Sequence, residues 1–309
     1  MSRIAILGAG AWGLALAIHA ARGGADVILS ARDPAAVGRR LPGFALPERV
    51  RVTGTPPGAA DAVLVAVPTQ ALRAALAGFT PAGPLVLCCK GIEAGTGCLP
   101  LEIAASVHPA TQAAVLTGPN FAHEVAAGLP AASVIAAADA DVRRALVRLL
   151  SGPAFRLYGN EDPVGAQLGG AAKNVIAIAA GAVTGAGYGE NARAALITRG
   201  LAELARLIVA QGGRAETASG LSGLGDLVLT CTGAGSRNFA HGVALGRGVA
   251  PVAATVEGVA TAPALIARAT GVDLPICQAV ARVLAGEISL EAALVGLMTR
   301  PSKEEGLLF

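Results

Sequence analysis

Near the start of the chain a short apolar run feeds directly into a glycine turn: I-A-I-L-G-A-G-A-W-G, residues Ile4–Gly13. A brief, continuously apolar run suits a strand buried on both faces, as in a parallel sheet. The glycine spacing limits what can follow. Gly8 allows a tight turn, Gly10 lets the backbone approach a ligand, and Gly13 permits the next helix to pack closely on the strand. The helix start then offers unpaired N–H groups and the positive end of its dipole, the setting that receives a pyrophosphate. The chain is therefore expected to open with a dinucleotide-binding βαβ unit.

The same texture continues. Strand-length apolar runs are expected at Arg3–Leu7, Asp26–Leu29, Ala62–Val67, Leu85–Cys89, Ala113–Thr117 and Ser133–Ala137, with helices such as Trp12–Arg22 and Gln70–Ala77 between them. Short apolar strands alternating with helices imply a parallel sheet covered on both faces. Beyond about Gly159 strand-like runs give way to long Ala/Leu/Val/Gly segments with charges at helical spacing, as in Arg193–Gln211 and Ala262–Arg268. The fold class expected is α/β: an N-terminal Rossmann domain (1–163), a doubly wound parallel sheet, followed by a mostly α-helical domain (164–309).

Composition narrows the function classes. With 53% hydrophobic and 15% charged residues among 309, a disordered chain is excluded. Much of the apolar fraction is Ala, which suits closely packed helices. No unbroken strongly apolar stretch reaches membrane-spanning length and the N-terminus has no leader pattern, so a cytoplasmic protein without an integral membrane segment is expected. The five cysteines form no CxxC pair and the four histidines show no ligand spacing, so the expectation is reduced thiols and no metal. A net charge of +3 without a basic block gives nucleic acid no footprint.

The second strand speaks to the coenzyme. An NAD site usually carries an acidic residue at that strand's end, but here it ends Leu29-Ser30-Ala31-Arg32-Asp33. Ser30 stands at the acidic position, and Arg32 can meet a 2′-phosphate as a charge-assisted pair. Asp33, before Pro34, reads as a turn or helix cap. NADP(H) is favoured, with NAD(H) tolerated; the bland reading of Arg32 is a solvated surface charge.

Substrate chemistry is expected beyond the carboxyl ends of the strands. Lys90 follows one strand and Gly118-Pro119-Asn120 follows the next. Farther on, Lys173 and Asn174 are the strongly polar side chains in Q-L-G-G-A-A-K-N-V-I-A-I (167–178). A buried Lys is costly unless paired, which argues against a silent role. Asp226, in an apolar Gly-rich setting, needs a cationic partner. Ser236-Arg237-Asn238 gathers hydroxyl, guanidinium and amide as a phosphate clamp would, although S-R-N alone equally suits a turn cap.

Together these stretches resemble the bacterial NAD(P)-dependent glycerol-3-phosphate dehydrogenase family. The likeness runs through GAGAWG, Lys90-Gly91, GPNFA at 118–122, QLGGAAKNVIAI at 167–178, NARAALITRGLAE at 191–203, GLGDLVLTCT at 223–232, SRN at 236–238 and VEG at 256–258. It implies exchange of hydride between NAD(P)H and dihydroxyacetone phosphate or sn-glycerol 3-phosphate, a precursor of glycerophospholipids, by a homodimer. It implies Lys173 as the catalytic proton-transferring group. Lys90, Gly118, Asn120, Lys173, Asp226, Ser236, Arg237 and Asn238 would bind substrate. Gly8, Gly10, Ala11, Trp12, Gly13, Arg32, Lys90, Ala122, Arg237, Thr255 and Glu257 would bind coenzyme. Two positions depart from the family pattern: Asn120 stands where Ser or Thr is usual, and Ala11 where Ser is frequent. The β-hydroxyacid dehydrogenases share the domain plan but place an Asn one helical turn after their Lys, where this chain has Ala177. A coenzyme-binding sensor would need the glycine loop but neither Lys173 nor Asp226.

Overall fold

The structure, a computed structural model, describes residues 2–233, 235–250 and 255–301. The chain forms two compact units: Met1–Lys90 with Leu99–Pro163, and Gly91–Cys98 with Val164–Phe309. Residues Gly91–Cys98 thus group with the second unit, whereas the sequence reading placed them in the first.

The first unit is one eight-stranded sheet in the order β3-β2-β1-β4-β5-β6-β7-β8. Its strands are β1 (Arg3–Leu7), β2 (Asp26–Ser30), β3 (Val50–Thr53), β4 (Ala62–Val65), β5 (Leu85–Leu87), β6 (Ala113–Thr117), β7 (Ala131–Ala136) and β8 (Phe155–Asn160). Its helices are α1 (Ala11–Arg22), α2 (Thr69–Ala77), α3 (Pro100–Val107), α4 (Ala122–Ala127) and α5 (Ala140–Leu150). β1 lies between β2 and β4, so the order reverses there and the crevice beyond the strand ends opens beside the glycine turn.

Two strands escape the sequence reading, β3 and β8, and both are sheet edges. An edge strand is covered on fewer sides. V-R-V-T and F-R-L-Y-G-N therefore alternate or mix apolar and polar residues instead of running continuously apolar. The sheet is also not wholly parallel as expected: β7 runs antiparallel to β6. Their connection holds only the six-residue α4. At ~1.5 Å per residue this helix spans about 9 Å, short of the roughly 17 Å needed to run back along a five-residue strand. Gly128, with φ +78°, ends it in a left-handed turn.

The second unit is helical: α6 (Pro163–Gly185), α7 (Gly189–Ala210), α8 (Asp226–Thr232), α9 (Arg237–Gly246), α10 (Glu257–Arg268), α11 (Pro275–Leu284) and α12 (Leu290–Met298). A single π-helical turn, Leu221–Gly225, leads into α8. α6 is buried along most of its length, and over its second half its backbone touches that of α9. A Cβ on Gly242 would lie 2.0 Å from the Ile178 carbonyl oxygen, and one on Gly181 would lie 2.1 Å from that of Phe239. Only glycine on both faces permits this approach, which explains the Gly/Ala texture of the segment. Among the described residues α6 is the one helix long and apolar enough to cross a membrane, and it lies mostly inside its unit.

α7 is tied to α11 by a buried carboxylate. Glu203 accepts hydrogen bonds from the Ile276 and Cys277 N–H groups, at 2.6 and 3.1 Å, in the first turn of α11. Burial pushes its carboxyl from an ordinary 4.5 up to about 7, against the pull of those two bonds. Folding therefore favours the protonated acid, so the stability this group adds is complete below about 4.5 and lost as pH rises to about 7. The melting-temperature difference between wild type and Glu203→Gln should fall across that window and be flat above it. A pH-independent difference would contradict the burial argument.

Candidate active site

The glycine turn closes β1 onto α1. Gly8 has φ +108°, and a Cβ there would lie 2.7 Å from the Ala66 carbonyl oxygen, so both conformation and space demand glycine. A Cβ on Gly13 would meet the Gly8 carbonyl oxygen at 1.9 Å. Gly10 is different. Its backbone, φ −72° and ψ 176°, suits any residue, and no described atom lies within 4 Å of where its Cβ would be. The fold does not need glycine here; the open space beside the helix start does. Ala11 and Trp12 are the first residues of α1, with their N–H groups in the unpaired first turn. The Trp12 ring packs edge-on against Phe155, with centroids 6.4 Å apart. A dinucleotide pyrophosphate fits this cradle.

At the end of β2, Ser30 is buried and its hydroxyl has no hydrogen-bond partner among the described residues. Arg32 is exposed just beyond it. Asp33 caps the following 3-10 turn, its carboxylate accepting from the Ala35 N–H at 3.1 Å, as its place before Pro34 implies.

Lys90 lies half-buried past β5 and donates to the Gly118 carbonyl oxygen at 2.8 Å. Gly118 has φ +146°, and a Cβ there would strike Ser133 of β7. Asn120 turns its amide nitrogen toward the Ser133 hydroxyl and, at 3.3 Å, the Gly118 carbonyl oxygen. Its buried carbonyl oxygen has no hydrogen-bond partner among the described residues. Ala122 begins α4.

In the second unit Lys173 projects from the middle of α6 into a closed polar knot. Its Nζ donates to Asp226 Oδ1 at 2.9 Å and to Thr230 Oγ1 at 2.7 Å, while the Thr230 hydroxyl reaches the Asp226 carbonyl oxygen at 2.6 Å. The Lys173 and Asp226 side chains are only 9% and 1% exposed, so this is a desolvated ion pair rather than a surface one. An ammonium has three donors; two point at these partners and one remains for another oxygen. Cys231, beside the pair, has its thiol pushed up to about 12 by burial and stays protonated.

Ser236 is the N-cap of α9, accepting from the Phe239 N–H at 3.2 Å, and Arg237 opens that helix exposed to solvent. Asn238 donates to Asn174 Oδ1 at 2.8 Å and accepts from the Gly258 N–H at 2.9 Å. Thr255 is exposed and Glu257 half-buried at the start of α10.

Two family models match: the NAD-dependent glycerol-3-phosphate dehydrogenase N-terminus over residues 3–143 and its C-terminus over residues 162–295. The chain belongs to this dehydrogenase family. A glycerol-3-phosphate dehydrogenase (NAD(P)+) of Bradyrhizobium sp. is 51% identical over 98% of each chain. Another, from Acidiphilium cryptum, is 55% identical over 97% of this chain and 98% of its own. The crystal structure of glycerol-3-phosphate dehydrogenase from Coxiella burnetii superposes with a TM-score of 0.90 at 35% identity, over 97% of this chain and 99% of that one.

For a member of this dehydrogenase family, the sequence reading omitted one residue of the Lys173 knot. Thr230 lies four residues after Asp226 on α8, hence on the same helix face, and that spacing could have revealed it. Ser133 has no such signal, since it meets Asn120 only through sheet pairing. The cradle geometry yields a sharp expectation. Gly10→Val should fold as wild type, because a Cβ at this position lies more than 4 Å from every described atom beyond its chain neighbours, yet lose dinucleotide binding in a fluorescence titration. Wild-type-like affinity in the folded variant would remove the assignment.

Proposed function

We infer that this chain interconverts dihydroxyacetone phosphate and sn-glycerol 3-phosphate with a nicotinamide coenzyme, that NADP(H) is the coenzyme it prefers, and that Lys173 transfers the proton. The activity follows from family membership over both halves of the chain. The observation supporting the proton role is the Lys173 knot, a cation held by two partners inside a helix built mostly of small and apolar residues.

The nicotinamide, when bound, supplies or accepts the hydride. The chain's own groups do the rest. In the reducing direction the third N–H of Lys173 polarises the ketone oxygen and passes its proton to the developing alkoxide. Asp226 and Thr230 fix the direction of that donor. In the oxidising direction the neutral amine takes the hydroxyl proton.

The phosphate is read as the ligand of Arg237, whose planar fork donates two parallel hydrogen bonds, together with the first-turn N–H groups of α9. Ser236 retains its O–H as a donor while its oxygen caps the helix. Lys90, Gly118 and Asn120 serve as substrate contacts; the bond from Lys90 to Gly118 and the turn of Asn120 toward Ser133 hold that loop in one shape. Binding energy gathered at the phosphate orients the carbon for transfer. Ala122, Thr255 and Glu257, with Lys90 and Arg237, complete the coenzyme contacts.

NADP(H) preference is supported by the end of β2. Ser30 carries no charge to repel a 2′-phosphate, and exposed Arg32 can pair with one. NAD(H) would lack only that contact.

Oxidation of NADPH on addition of dihydroxyacetone phosphate tests the activity; failure with the folded, coenzyme-bound protein would overturn it. Lys173→Met combined with Asp226→Asn should lower kcat about 10²–10⁴-fold with NADPH affinity kept. Turnover within a few-fold of wild type would end the proton role. Arg32→Ala should raise KM for NADPH about tenfold to hundredfold and leave NADH nearly unchanged. Equal losses would mean that Arg32 is not the discriminator.

A further inference from the structure

Helix α1 begins without a side-chain cap. Its N-cap is Gly10, which has nothing to offer the first turn, and no acidic residue stands in that turn. The N–H groups of Ala11, Trp12 and Gly13 are thereby left for a ligand, but the turn that carries them lacks the bonds that keep a helix end from fraying. What holds it comes from the side. Trp12 meets Phe155 edge-on, with ring centroids 6.4 Å apart and planes at 86°. His19 lies two helical turns after Trp12 on the same face of α1, and its ring meets the same Phe155 at 5.0 Å and 83°. Phe155 is 2% exposed.

Strand pairing does not account for this contact. Phe155 opens β8, an edge strand far from β1 in strand order. The corner before β8 is docked on α1 by other means: His19 Nε2 donates to the Leu150 carbonyl oxygen at 2.8 Å, and a Cβ on Gly152 would lie 2.7 Å from His19 Cε1. Gly152 and Phe155 exchange backbone hydrogen bonds at 2.9 and 3.1 Å, which closes the corner on itself. The Phe155 ring is therefore fixed where it meets Trp12. We propose that Phe155 is a positioning residue for the coenzyme: by clamping the Trp12 ring it keeps the uncapped first turn of α1 in the shape that receives the pyrophosphate. The proposal rests on the reading that this turn is the coenzyme cradle. Phe155 acts through Trp12 and needs no contact with the coenzyme; its contribution is to order the donors before binding.

Trp12 is the one tryptophan of the chain, so its emission reports this turn alone. The test compares Phe155→Leu, Trp12→Leu and their double variant, with Leu157→Ala as a control at another buried position of β8. Phe155→Leu keeps an apolar side chain but loses the ring edge, and should weaken NADPH about three- to tenfold. In that variant kcat at saturating NADPH and KM for dihydroxyacetone phosphate should stay within about twofold of wild type. Without coenzyme its Trp12 emission should move to longer wavelength. Amide exchange should quicken at Leu14, whose N–H bonds the Gly10 carbonyl oxygen at 2.9 Å and closes the first turn. The double variant should bind no worse than the more affected single, because both break one contact. Leu157→Ala should lower Tm and leave NADPH affinity unchanged. If Phe155→Leu keeps wild-type affinity while Trp12→Leu loses it, Phe155 is core packing only and the proposal fails. An equal loss in Leu157→Ala, or single effects that multiply, overturns it as well. If Trp12→Leu also keeps wild-type affinity, the cradle reading itself falls and the positioning role falls with it. Should Phe155→Leu not fold, Leu14 exchange in Trp12→Leu decides: faster exchange with weaker NADPH supports the clamp, and unchanged exchange overturns it.

Discussion

An ammonium group buried in an apolar helix core costs several kcal/mol unless an opposite charge is delivered to it in good geometry. In this enzyme Asp226 delivers that charge from α8, and the helical unit is arranged around the meeting. α6 has to carry Lys173 to the interior, so apart from Asn174 the residues around it are Gly, Ala, Val and Ile, and it approaches α9 backbone to backbone. α8 has to present Asp226 and Thr230 on one face, and it does so directly after a π-helical turn. Gly169 of α6 shows how close that turn lies: a Cβ there would sit 2.5 Å from the Ser222 carbonyl oxygen. The small-residue composition and the buried charge are two aspects of one design.

The two units use glycine for different purposes. At Gly8, Gly13 and Gly118 it satisfies the fold, through a left-handed backbone or a missing Cβ where a carbonyl or side chain already sits. At Gly10 a Cβ would meet no described atom beyond its chain neighbours, so the space beside the start of α1 is open. In the helical unit, Gly181 and Gly242 permit helix crossing and Gly258 permits a hydrogen-bonded junction.

Much of this was legible from the sequence, and the omissions have physical causes. The glycine loop, the six central strands and the change to helices announce themselves through local periodicity. Asp226 could be recognised as needing a cation because an isolated carboxylate in an apolar stretch has few alternatives. The strands β3 and β8 were missed because sheet edges lack a continuous apolar run, and the antiparallel β7 because strand direction depends on connection length. The hydrogen-bond partners of Asn120 and Asn238 were not legible: an amide's partners depend on residues remote in sequence, Ser133 for one and Asn174 and Gly258 for the other. The grouping of Gly91–Cys98 with the helical unit is likewise a tertiary fact. Arg268 reaches the Gly97 carbonyl oxygen at 2.9 Å from the far end of α10.

The buried pair at the centre of this account is open to direct measurement by denaturant unfolding of Lys173→Met, Asp226→Asn and the double variant. Removing one partner leaves the other uncompensated in a dry site, which typically costs about 3–5 kcal/mol, whereas removing both charges is close to neutral. Lys173→Met should be markedly destabilised, and adding Asp226→Asn should restore most of the loss. Additive losses in the double variant would show that the two charges do not depend on each other, and would overturn the pairing as the organising interaction.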